Sequence, residues 1–405
     1  MKTKQKAGTG ILALPYACKQ GGLLLFISGM FLIPLWNVYC MKLLCDSLEY
    51  LVRLADSPSD NIDVELTPKT LTRQKRLPPP IGTSSFSKLG WYALGKSGLW
   101  TIDLMMLMLL LFICIAFEVA ILTFAESTPF TTGRKMIDAI ILGFLLVPLC
   151  IVDDMSALSK LSRLGLIILG FSMLVIAFYG ISGYENNNSN DIDVGISKWF
   201  GCVVFSFGVV PLTFNYRESM AEPEKLQKVA MISMSLVGVC YVIIGVSFLY
   251  IFPNIEQDLL SEIPSHGMLA TTTRLAMIIT TMAGTPLLIV PCAEIIEGKI
   301  MNNEDGQTKS KKLMIIIRTC ILLCTVLIAS ELPSFVSILA FAGSFAVSMV
   351  SFVVPPGLHW LLLRQGYYDG PGGLDFPIWS RICDLSMLLI GSLTTIITTW
   401  FAGHK

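Results

Sequence analysis

Apolar residues in this chain run in long blocks and do not alternate with polar ones. An apolar stretch of about 20 residues is long enough to cross the hydrocarbon core of a bilayer as a helix. Blocks of that order recur from end to end, at 8–19, 23–51, 99–124, 136–152, 164–181, 197–214, 229–252, 269–296, 313–331, 335–363 and 382–401. The pattern predicts an all-α polytopic membrane protein of eleven spans, in a single transmembrane domain over 1–405 whose main partner is the lipid bilayer. The longest polar connection, 53–98, carries Pro78-Pro79-Pro80 and a basic cluster of Arg73, Lys75 and Arg76.

Two blocks are broken. GTGILALPYA, Gly8 to Ala17, sets a Gly-Thr-Gly interruption before an apolar half-helix, and FSFGVVPLTF, Phe205 to Phe214, is interrupted at Ser206, Gly208 and Pro211. Gly- or Pro-interrupted hydrophobic segments at corresponding places in two halves of a chain point to the binding site of a secondary transporter. Unwound backbone is costly at membrane depth unless it lines a cavity or binds something. Glycine permits dihedrals that free the amides at Gly8-Thr9-Gly10, where they could face a carboxylate. Small residues also serve close helix packing, which is the blander reading. The blocks divide into repeat one, about 7–181, and repeat two, about 197–363, with an extra span at about 382–401: a five-plus-five inverted repeat with one addition.

Charge orients this arrangement. With the N-terminus in the cytoplasm and spans alternating, 22 lysines and arginines fall on the cytoplasmic side and six on the other, as the positive-inside rule requires. The 53–98 loop is then cytoplasmic and long enough to dock a regulatory partner. The only glycosylation sequon, at Asn187, lies in an outer loop.

Composition narrows the classes. Hydrophobic residues make up 54% and charged residues 14%, too few charges to cover a soluble protein of this length. The net charge is zero and no basic domain stands apart, so nucleic acid is not an expected partner. The cysteines, such as Cys114, Cys240, Cys320 and Cys324, sit singly in apolar blocks, as small hydrophobes do. No nucleophile elbow, phosphate loop, metal-ligand spacing or catalytic carboxylate pair is present, so an enzyme is not expected and no cofactor is implied. The opening MKTKQK shows no cleavable signal.

Intramembrane carboxylates are candidates for proton coupling, because charge is expensive there. Glu118, flanked by apolar residues on both sides in LFICIAFEVAIL, is the clearest; Glu294 in PCAEIIEG is the second. Asp103 and Asp138 lie near span ends. The histidines add little: His266 in an outer loop, His359 near the end of the tenth span, His404 at the tail.

GTGILALPYACKQGG resembles the first-span signature of the amino acid/auxin permease family, which includes proton-coupled and vesicular amino acid transporters. FSFGVVPLTFNYRESMAEPEKL resembles its sixth span and following loop, AGTPLLIVPCAEIIEGKI (283–300) its eighth span, and FAGSFAVSMVSFVVPPGLHW (341–360) its tenth. The resemblance implies a leucine-transporter-like fold and transport of amino acids, small neutral ones here, with protons or sodium. It places the substrate's charged groups against backbone at Ala7, Gly8, Thr9 and Gly10, faced by Phe205, Ser206, Phe207 and Gly208. A cation site, where the fold has one, uses eighth-span hydroxyls, for which Thr280, Thr281 and Thr285 are available; threonines in membrane helices more often bond their own backbone. Some proton-coupled relatives carry a histidine near the first break; this chain has none there.

Relatives also carry ten or more apolar residues before the glycine break. Here MKTKQKA takes their place, so a truncated first span is expected. The favoured function is proton-coupled amino acid symport by alternating access, in a plasma, lysosomal or vesicular membrane. The alternatives are a sodium-coupled or vesicular exchanger, and a non-transporting amino acid sensor.

Overall fold

The computed structural model describes residues 10–56, 83–151, 155–183, 195–255, 258–264, 267–301, 311–332, 334–364 and 378–403. Among them there is no strand. A short 3-10 turn, Gly10–Ala13, opens into α1 (Leu14–Asp56), and there follow α2 (Ser85–Leu94), α3 (Lys96–Glu126), α4 (Lys135–Ile151), α5 (Met155–Ser182), α6 (Ile196–Ser206) and α7 (Thr213–Ser219). The second half holds α8 (Leu226–Ile251), α9 (Met268–Gly284), α10 (Pro286–Met301), α11 (Lys311–Glu331), α12 (Phe335–Ala342), α13 (Val354–Arg364) and α14 (Ile378–Gly403). Among the described residues, eight helical segments are long and apolar enough to cross a membrane. α4, at 17 residues, and the apolar part of α5, Ile167–Ser182, are shorter. Leu, Ile and Phe side chains stand exposed along α4, α8, α11 and α14, an outer surface suited to lipid and not to water.

Several helices are bent or interrupted for identifiable reasons. α1 turns sharply at Gly22, whose φ of 71° and ψ of 160° suit glycine and few other residues. The indole of Trp199 lies against Gly21 before this bend and Gly29 after it, so that a Cβ at either glycine would overlap the ring. The bend therefore doubles as a socket for α6. The eighth block is split between α9 and α10 by Gly284-Thr285 before Pro286. The tenth passes through two π-helical segments, Gly343–Val347 and Met349–Val353, between α12 and α13.

Packing sorts the helices into two groups. α1 packs on α6 and α8; α3 packs on α9, α10 and α11, with α4 on α11. α5 touches both α8 and α9, and the α12–α13 segment lies between α6 and α3. α14 lies outermost, against α13 and the π-helical segments.

Two of the arginines that enter the charge count, Arg274 and Arg318, are buried in helices. Arg318 of α11 places its Nε 3.9 Å from Glu297 Oε1 and donates from Nη1 to the Cys150 carbonyl at 3.2 Å. Arg274 of α9, 2% exposed, donates to the carbonyls of Leu260, Ile263 and Pro264 at 3.2, 2.8 and 2.8 Å. Charge can be kept inside where each donor finds an acceptor. Arg274→Met should leave three carbonyls without their donor and cost on the order of 3–5 kcal/mol, read as a lower melting temperature in detergent; an unchanged melting curve would show that the carbonyls find other donors.

Candidate functional site

The first and sixth breaks meet. A Cβ built on Gly10 would lie 3.0 Å from Ser206 Oγ, 3.6 Å from Phe205 Cδ1 and 3.7 Å from Ser206 Cα. Gly10 is not among the glycines with positive φ, which are Gly22, Gly95, Gly133 and Gly267. What it supplies is room, and the expectation of an unusual backbone shape does not hold at this residue. Ala7, Gly8 and Thr9 lie outside the described residues.

On the facing side, α6 stops at Ser206. The Phe207 amide donates to both the Val203 and Val204 carbonyls at 3.2 Å, and the Gly208 amide to the Phe205 carbonyl at 3.2 Å. Pro211 then starts a 3-10 turn, Val210–Leu212, that leads into α7. The Phe207 carbonyl accepts from Val209 N–H at 2.7 Å and from Asn37 Nδ2 of α1 at 3.1 Å. Gly208 abuts Val347 in the first π-helical segment. Of the two aromatic candidates, Phe205 borders Gly10, whereas Phe207 is buried with its ring centroid 5.4 Å from that of Tyr241 on α8. Ser206 Oγ donates to the Cys202 carbonyl at 2.8 Å.

The electrostatics follow from helix ends. Among the described residues, the turn Gly10–Ala13 is the amide end of the α1 half-helix, the positive end of its dipole, and α6 ends at Ser206 with its carbonyl end, the negative one. Opposed half-helix ends suit a ligand carrying an anionic and a cationic group together.

The ion-coupling candidates are dispersed. Thr280, Thr281 and Thr285 donate to the carbonyls of Ala276, Met277 and Thr281 at 2.8, 2.9 and 3.3 Å, each within its own helical run. Their oxygens keep only acceptor capacity. Glu294 is exposed, while Glu297, one turn on, is buried beside Arg318. Glu118 is fully buried between α3 and α11: Oε1 accepts from Thr325 Oγ1 at 2.9 Å and from Cys114 Sγ at 3.4 Å, and Oε2 has no hydrogen-bond partner. Asn187 and much of the 53–98 loop (57–82) lie outside the described residues.

The connection from α8 to α9 covers the start of α1. Leu259 N–H donates to the Leu12 carbonyl at 3.2 Å, and Lys19 Nζ to the Ile255 carbonyl at 3.2 Å. Two cavities flank this connection, one of about 590 Å³ beside Tyr179 and Phe252 and one of about 490 Å³ beside Glu126, Asp258 and Arg274. Sequence reasoning passed over Asp258, a loop acid of ordinary appearance. It is 1% exposed; Oδ1 accepts from the amides of Leu260 and Ser261 at 2.9 and 3.2 Å, and Oδ2 has no hydrogen-bond partner.

Burial pushes the Asp258 carboxyl up from 3.8 to about 6, against the lowering effect of those two amides. A carboxyl whose value rises on docking favours the docked loop in acid. That support is complete below about pH 4 and lost as pH rises through about 6, a difference on the order of 3 kcal/mol. Hydrogen exchange of the 252–264 amides, corrected for intrinsic pH dependence, should show protection falling across that window. Asp258→Asn should remove the fall; a variant with the same profile would acquit Asp258.

A family profile described as "Transmembrane amino acid transporter protein" matches residues 2–60 and 69–402. Amino acid transporter AVT3A of Arabidopsis thaliana is 20% identical over 98% of this chain and 86% of its own length. Amino acid transporter AVT3C of the same plant is 23% identical over 97% of this chain and 86% of its own length. Solute carrier family 38 member 10 of Mus musculus is 22% identical over 97% of this chain and 35% of its own length.

Proposed function

This chain belongs to the transmembrane amino acid transporter family, and from that premise we propose that it carries small neutral amino acids across a membrane by proton-coupled symport. The observation that carries the reading is the contact of the first and sixth breaks at Gly10 and Ser206. The amide end of one half-helix and the carbonyl end of the other match the carboxylate and ammonium of a zwitterion. Phe205, Ser206 and Val347 bring no charge to this place, which favours neutral side chains.

The two packing groups suggest the motion. α1, α6, α7 and α8 rock against α3, α4, α9, α10 and α11, with α5 and the α12–α13 segment as the connecting arms. In this reading the fold is the five-plus-five inverted repeat with α14 as the eleventh span. The N-terminus and the 53–98 loop are cytoplasmic, Asn187 takes a glycan on the other side, and the loop serves as a docking place for a regulator. The α8–α9 connection, bonded to the Leu12 carbonyl, must lift for the site to open outward.

Glu118 is the proton carrier in this scheme: a buried carboxylate with one unpartnered oxygen between two helices of the static group. Uptake of a mixed labelled amino acid pool into proteoliposomes, with and without an inward proton gradient, tests the function. Stimulation several-fold by the gradient is the expected result. Stimulation by sodium alone would replace the ion, and no uptake by a folded protein would favour a sensor. Glu118→Gln should flatten the pH dependence of uptake; an unaltered dependence at normal surface expression removes Glu118 from the mechanism.

A further inference from the structure

Far from the helix breaks, three side chains from three separate helices close on one another. Asp384 of α14 is fully buried; its Oδ1 accepts from the Tyr39 hydroxyl of α1 at 2.8 Å, and its Oδ2 lies 2.7 Å from Nδ1 of His359 on α13, which is also fully buried. The placement is unusual for its helix. α14 is mostly exposed apolar surface, with Leu385, Leu389, Leu393, Ile396 and Trp400 between 42% and 67% exposed. An acid on a lipid-facing helix turned fully inward onto a histidine has no packing rationale, since an apolar residue would fill the place at no cost of desolvation.

We propose that Tyr39, His359 and Asp384 form a proton-binding site, separate from Glu118 and from the helix breaks, whose occupancy holds α14 against α1 and α13. With histidine neutral and aspartate charged, the group carries one net negative charge in a dry place. One proton, held between Nδ1 and Oδ2, makes it neutral overall, and Tyr39 satisfies the second carboxylate oxygen in either state. Loss of the proton leaves an uncompensated carboxylate, and the arrangement loosens. Two features give it a route to the rest of the molecule. His359 follows the two π-helical segments, a geometry frequent at functional places. Tyr39 lies two residues beyond Asn37, which holds the Phe207 carbonyl at the sixth break.

Other ionisable groups surround the site and must be separated from it. α1 also brings Cys40 and Asp46, the latter within electrostatic reach of His359, with Lys42 beside it. α14 brings Cys383 near Tyr39 and carries the exposed Arg381 a turn away. α2, which packs on α13, carries Lys88 and Tyr92, and the segment Met349–Val353 carries no ionisable side chain.

The test is the melting temperature of the purified full chain in detergent, from acidic to alkaline buffer, with Asp258→Asn in every protein compared so that its own loss of support near pH 6 does not enter. For the chain otherwise wild type it should fall as pH rises and the proton is lost. Asp384→Asn, which cannot charge, should flatten that fall, and Tyr39→Phe should leave its direction in place. Should Asp384→Asn fail to fold, the double variant His359→Gln/Asp384→Asn puts two neutral amides in hydrogen-bonding reach and should also be flat. Monodisperse protein that keeps that fall in either variant overturns the proposal. The site rests on the transport reading only for what its occupancy does to uptake. No flux from wild-type proteoliposomes would sink that reading, while the melting comparison, which needs no flux, decides the site.

Discussion

Gly10→Val is expected to reduce amino acid uptake by about 10–100-fold or more while leaving a folded, surface-expressed protein. The first atom of the new side chain would already stand 3.0 Å from Ser206 Oγ, and that hydroxyl is tied to the Cys202 carbonyl at 2.8 Å. Valine adds two methyl groups beyond this contact. Overpacking of such a contact costs ~1–3 kcal/mol, and every 1.4 kcal/mol is about tenfold in an equilibrium. The closed arrangement bears that cost directly, because it requires the two breaks to touch. A milder pair separates crowding from general damage. Gly10→Ala should impair uptake, and Ser206→Gly in the same chain should restore part of it by removing the hydroxyl. Wild-type uptake by Gly10→Val would sink the assignment of the substrate site to these breaks. Impairment by Gly10→Ala with no rescue would show that Phe205 or the Ser206 backbone, and not the Ser206 hydroxyl, limits the space at this position.

Gly343→Ala should have the largest effect on stability. Gly201 of α6 and Gly343, at the start of the π-helical stretch, meet backbone to backbone: a Cβ on Gly343 would overlap the carbonyl oxygen of Gly201, and a Cβ on Gly201 would overlap that of Ala340. Neither obstacle is a side-chain tip that can swing aside, so the helices must part. The cost belongs at or above the upper end of the ~1–3 kcal/mol usual for overpacking. A lower melting temperature and poor surface expression are the expected observations. Since both glycines act on one contact, Gly201→Ala added to Gly343→Ala should cost less than the two separately. Normal expression and melting of Gly343→Ala would mean that α6 and the tenth block are free to separate without penalty.

Much of this architecture was legible before any coordinates. Apolar length marked the helical blocks, because crossing hydrocarbon demands about 20 consecutive apolar residues whatever surrounds them. The interruption at Ser206, Gly208 and Pro211 is equally local, since proline and glycine act on their own backbone, while Gly8 and Thr9 of the first lie outside the described residues. What sequence could not supply was direction. In a soluble helix the polar face tells the buried one apart, but here lipid and core are both apolar, and the periodic signal fades. So Glu294 stood out as the candidate in sequence, and only packing put Glu297, three residues on, inside beside Arg318. The hydroxyls of Thr280, Thr281 and Thr285 each donate to a carbonyl of their own helical run, a pairing no spacing in the sequence displays and one that leaves their oxygen lone pairs open.

Long-range pairings were further out of reach. Tyr39 and Asp384 are separated by 345 residues and join because α1 and α14 both pack on α13. Asp258 is a plain loop acid until the connection carrying it seats on the start of α1. The sequence by itself determined what is set by local backbone chemistry and by total apolar length: the helical class, the membrane and the places where the chain must break. Only the tertiary structure decided which polar groups face each other, because that depends on the rotation and neighbours of helices whose apolar faces are indistinguishable one residue at a time.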